Sequence, residues 1–102
     1  MKPSDVLRGA LDRLGPTGER WAGDWSNPKS ECMYVALHAA GKDDFQAFMR
    51  AWRLVADECN DHSDLPRHLS VIEFNDDPKT TFSDVALTFK RALARAEDEE
   101  RA

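Results

Sequence analysis

Long hydrophobic runs are missing from this chain. No apolar stretch approaches the ~20 residues needed to cross a bilayer, so a membrane-spanning role is not expected. Cysteine is scarce, with only Cys32 and Cys59 in 102 residues. Each lies in an apolar helical stripe, where a free thiol behaves as a small hydrophobe, and both are read as reduced and buried. There is no Asn-x-Ser/Thr sequon, and Met1-Lys2-Pro3-Ser4-Asp5 leads straight into an amphipathic pattern with no signal-peptide core. A cytoplasmic location is the expectation. Clustered basic charge is absent too. With 14 Lys and Arg against 19 Asp and Glu, the net charge is −5 and the basic residues are scattered. That argues against a phosphate-backbone binder, and no direct nucleic-acid contact is expected.

Signatures of catalysis are equally thin. No GxSxG elbow, CxxC pair or HExxH helix occurs. Gly15-Pro16-Thr17-Gly18 is rich in turn formers but lacks the following lysine of a phosphate loop. No cofactor is expected from these residues.

What the chain does have is helical rhythm. Phe45, Phe48, Trp52, Val55 and Cys59 step by three and four residues, as do Phe82, Val85, Phe89, Ala92 and Ala96. That spacing lines one face of an α-helix. A first helix is predicted over about 5–14, with Ser4 as N-cap and Gly15-Pro16 as its stop. A second covers about 31–40 behind Ser30. A third follows a capping box of Asp43 and Gln46 and runs to about Cys59, forming an αα-hairpin with the second. Pro66 suits the first turn of a short helix ending near Phe74, although Val71-Ile72-Glu73-Phe74 also reads as an extended segment. Asn75-Asp76-Asp77-Pro78 reads as a turn. The last helix opens with Thr81 and Asp84 as a capping pair. Its acidic end, 97–102, is expected to fray, because Glu97 to Glu100 oppose the helix dipole.

The predicted fold is therefore all-α: one domain over 1–102, a compact bundle of four main helices with a possible short fifth. A Trp-containing loop joins helices one and two. A composition of 41% hydrophobic and 32% charged residues fits a globular domain. The expected core is Leu7, Leu11, Leu14, Met33, Leu37, Phe45, Phe48, Trp52, Val55, Ile72, Phe82, Val85, Phe89 and Leu93.

Three groups invite a functional reading. Trp21 and Trp25 sit four residues apart in a glycine- and proline-punctuated loop, as a cover for the core edge or as an anchor for a partner. Asp57, Glu58, Asp61 and Asp64 surround one helix end, a solvated face or a patch for a basic surface. Cys59, His62 and His68 are zinc-ligand types within ten residues, but their spacing matches neither a CxxC pair nor HExxH.

Trp21-x-Gly23, Cys32-x-x-x-Ala36-Leu37, Phe74-Asn75-Asp76, Pro78 and Thr81-x-x-Asp84-Val85 together resemble a family of uncharacterised small proteins of actinobacterial, proteobacterial and phage genomes. The resemblance spans about 14–96. It implies no known activity, and it implies a phage or mobile-element setting in which compact proteins bind and block. The function expected is a non-enzymatic protein-binding module, a regulator or inhibitor of another macromolecule, touching it through Trp21, Trp25, Asp57, Glu58, Asp61 and Asp64. The alternative is a small metal-binding or catalytic protein using Cys59, His62 and His68. A homodimer covering the indoles is a third reading.

Overall fold

In a computed structural model, the placement of residues 1–21, 31–61 and 71–102 is described, Asp61 by its backbone alone. Helix α1 spans Pro3–Leu14, α2 Met33–Ala40, α3 Phe45–Asp61, α4 Val71–Asp76 and α5 Phe82–Arg101. Among the described residues there is no strand, only a single-residue bridge between Trp21 and Glu31. The all-helical expectation holds, with four longer helices and a short one. Ser30, Pro66 and Leu69, which carry parts of the predicted second and fourth elements, lie outside the described residues.

The helix starts shift from their predicted positions, each for a local reason. At α1 the N-cap is Lys2, whose N–H donates to Asp5 Oδ2 at 2.9 Å. Ser4 is buried instead, and its N–H and hydroxyl donate to the Glu100 carboxylate at 3.1 and 2.5 Å. At α2 the cap is Cys32, whose sulfur accepts from the Val35 N–H at 3.5 Å. At α3 Asp44 caps rather than Asp43, with Oδ1 accepting from Ala47 N–H at 3.1 Å. The Thr81–Asp84 capping box at α5 forms as read, with Asp84 N–H donating to Thr81 Oγ1 and Thr81 N–H donating to the Asp84 carboxylate.

The predicted fraying past Ala96 is replaced by helix to Arg101. The acids there meet partners from other helices: Glu97 faces Arg8 at 3.2 Å, Glu99 pairs with Arg50, and Glu100 takes the Ser4 donors at the start of α1. Negative charge that opposes its own helix dipole thus sits against the positive end of another.

Helix α1 packs against α2, α3 and α5, and α4 bears on α2 and α3. Helix α2 leans more on α1 than on α3, so the predicted hairpin partner is not its main neighbour. Small residues set that approach. A Cβ added at Gly9 would lie 3.2 Å from Ala40 Cβ. At the α2–α3 joint, a Cβ on Gly41 would come within 2.8 Å of Phe48 Cβ. The core is built from Val6, Leu7, Leu14, Met33, Leu37, Leu54, Val55, Phe74, Val85 and Phe89, all essentially inaccessible.

Two predicted core residues lie at the surface, and four others pack against the core from its edge. Phe45 is 72% exposed and Ile72 47% exposed, while Leu11, Trp52, Phe82 and Leu93 are half-buried. On α3 the apolar side chains occupy most of the circumference, so periodicity alone does not choose which arc turns inward. Ala47 and Ala51 let the neighbouring helices approach, and the buried arc centres on them and on Leu54 and Val55. Phe45 and Trp52 are rotated toward the edge as a result.

Candidate functional site

The turn after α1 carries Trp21 into contact with the rest of the molecule. Gly15 and Gly18 adopt φ of +89° and +78°, a region open to glycine at little cost. Arg20 folds back and donates to the carbonyls of Arg13 and, at 2.8 Å, Asp12, closing the end of α1. Trp21 then packs its ring against Phe82, centroids 6.1 Å apart. Its indole Nε1–H donates to Asn75 Oδ1 at 2.8 Å.

Asn75 is the unexpected member of this group. It lies in α4, not in a turn, and is 1% exposed. Its Oδ1 also accepts from the Met33 N–H at 3.0 Å, one of the first-turn donors that α2 cannot satisfy itself. One amide oxygen thereby ties the Trp21 segment, the start of α2 and α4. Just beyond, Thr80 Oγ1 donates to Phe74 O at 2.7 Å and hands the chain to the Thr81 cap. The short motifs containing Trp21, Cys32, Asn75 and Thr81 thus build one structural junction. Trp25, the other indole of the loop, lies outside the described residues.

At the far end of α3, Asp57 and Glu58 converge on one cation. Arg95 of α5 lies 3.7 Å from Asp57 Oδ2 and 3.4 Å from Glu58 Oε1. These two acids are therefore partly neutralised within the fold. Asp64 and the Asp61 side chain fall outside the described residues. Cys59 is fully buried in the core cluster. Burial, with the Glu58 charge second, pushes its thiol from 9.0 up to about 12, far from the thiolate that metal binding or nucleophilic attack requires. Its proposed co-ligands His62 and His68 also lie outside the described residues.

Sequence reasoning missed a third surface. Tyr34, His38, Phe45, Phe48, Met49 and Trp52 gather where α2 meets α3. Tyr34 stands perpendicular to Trp52 at 5.2 Å and stacks on His38 at 5.8 Å, and Phe48 lies edge-on to His38 at 5.5 Å. Phe45, Met49 and Tyr34 remain 72%, 44% and 39% exposed. Beside them runs an open groove of about 570 Å³ lined by Met49, Arg50, Trp52, Arg53, Ala56 and Asp57. Large apolar side chains clustered in solvent mark contact surfaces more often than scattered ones do. The signal was present in the sequence: Phe45, Met49, Trp52 and Ala56 follow a four-three-four spacing, a second seam beside the core stripe.

These features define a small all-helical protein, compact, with a polar knot at one corner and an aromatic face on α2 and α3. Among the described residues, no helix is long and apolar enough to cross a membrane. The chain belongs to a family of unknown function (DUF6197), whose family model covers residues 1–95. No curated protein and no solved structure matches it.

Proposed function

We propose that the protein acts by binding another protein chain, without chemistry of its own, and that the aromatic face of α2 and α3 is its recognition surface. The observation that carries this reading is the exposure of Phe45 and Met49 beside Tyr34 and Trp52 on one rigid helix pair. Aromatic side chains, with methionine, are the residue types that dominate the centres of protein interfaces. Holding them on helices lowers the ordering cost of binding. The sequence pointed instead to the loop indoles and the acidic end of α3. Trp21 spends its N–H on Asn75, and Asp57 and Glu58 face Arg95, so the α2–α3 face is the better-supported surface.

A photo-crosslinking amino acid placed at position 45, in cells of the source organism, tests this. A defined adduct from position 45 and none from position 79, which is also exposed, is the expected result. No adduct from position 45 would remove the basis for the proposal.

A further inference from the structure

Helix α1 starts without a complete cap of its own. Pro3 has no N–H, and the Asp5 and Val6 N–H groups reach back to the Lys2 carbonyl at 3.0 and 3.3 Å. Lys2, the N-cap, carries a side chain with no acceptor. The Ser4 N–H is a first-turn donor that α1 cannot satisfy itself. It goes, with the Ser4 hydroxyl, to the two oxygens of Glu100, 96 residues along the chain. Ser4 is 2% exposed, so this tie is both shielded and charge-assisted. Glu100 therefore caps α1 from the far end of α5.

The dependence also runs the other way. Ala96 is the last buried residue of α5, and 97–102 put no side chain into the core. Four acids in that stretch oppose the dipole of their own helix, with the Asp98–Arg101 pair at 2.7 Å as a local counterweight. The bridges from Glu97 to Arg8 and from Glu99 to Arg50 are open to solvent, a kind that contributes little. The contact between Ser4 and Glu100 is thus the strongest tie keeping the last turns helical.

We propose that the two ends form a conformational latch: the last turns of α5 and the first turn of α1 open and close as one unit while the core stays folded. Such sub-global opening follows contiguous cooperative groups, and here the group is joined through a single carboxylate. Opening also strips Arg50 of its partner at the rim of the α3 groove, so the latch sets the charge there. The latch stands independently of what the α2–α3 face binds.

Residue-resolved amide hydrogen exchange of the full chain tests this with Glu100→Ala and Ser4→Ala. Glu100→Ala should speed exchange at Asp98 to Arg101 and at Asp5 to Leu7 together, by at least ~5-fold, because both rates follow one opening. Local chemistry alone predicts the opposite sign at the α5 end, since alanine is the better helix former and removes an adverse charge. Ser4→Ala should speed exchange at Asp98 to Arg101, although it alters nothing in α5. The core amides of Leu54, Val55 and Phe89 should keep their wild-type rates in both variants. Slower exchange at the α5 end in Glu100→Ala overturns the latch, as does a change confined to one of the two ends. An α5 end indifferent to Ser4→Ala overturns it too. A parallel rise at the core amides overturns the separate unit, because the ends would then open only with the whole fold.

Discussion

Asn75 is a one-residue junction whose loss strands two donors. Its Oδ1 serves the half-buried indole of Trp21 and the buried backbone N–H of Met33. Removing an acceptor leaves the desolvation penalty of each donor in place, which exceeds the worth of the bonds themselves. Asn75→Ala is expected to cost about 2–4 kcal/mol in chemical denaturation, with a shift of tryptophan emission in the folded state. Unchanged stability would show that the two bonds are not made in solution. Cys59 offers a second test at this scale. Its thiol titrates at about 12 rather than 9.0 because burial disfavours the thiolate. Stability tied to it is complete below the unfolded value of 9.0 and is lost as pH rises toward 12. Folded protein at about pH 8 should therefore resist iodoacetamide at Cys59, and denaturant should expose it to rapid alkylation. Fast labelling of the native chain would contradict the buried placement.

Element by element, the helices differ in how firmly their inward face was written. Helix α5 carries one apolar stripe, Phe82, Val85, Phe89, Ala92 and Ala96, of which the last four are buried as the spacing requires and Phe82 is half-buried at the helix start. Helix α3 carries too many apolar residues for a single stripe, and Phe45 went to the surface. Helix α4 was ambiguous between helix and extended segment, and it folds with Val71, Phe74 and Asn75 inward and Ile72 outward. That division is measurable. Phe74→Ala is expected to lower stability by about 3–5 kcal/mol through the cavity it leaves. Ile72→Ala should cost less than about 1 kcal/mol, since little apolar area is lost and alanine favours helix. Equal losses at the two positions would mean that α4 is rotated from the orientation described.

Across the whole molecule, α5 returns its acidic end to the start of α1 and to α3. Hydrogen bonding to the Arg50 guanidinium holds the Glu99 carboxyl below its ordinary 4.5, and the charge of Arg50 adds to the effect. A carboxylate with a depressed value stabilises the fold above its unfolded value and loses that contribution as pH falls below it. Acidification below 4.5 should lower the Tm, and Glu99→Gln should make that acid limb shallower. Glu99 is open to solvent, so the difference will be modest and will shrink in salt. An identical acid limb in the variant would show that this bridge contributes nothing to the fold.

Sequence alone determined the all-helical class, the capping box at Thr81, the stripe of α5 and the family resemblance, because each depends on neighbours within a few turns of chain. It did not determine where Asn75 points. The partners of that side chain lie 54 and 42 residues away, and no local signal separates a turn asparagine from a buried tie. Nor did it choose which arc of α3 would face solvent. That choice belongs to the tertiary structure: the helix packs on the arc of Ala47, Ala51, Leu54 and Val55, where neighbours come closest, and leaves Phe45 and Met49 at the surface.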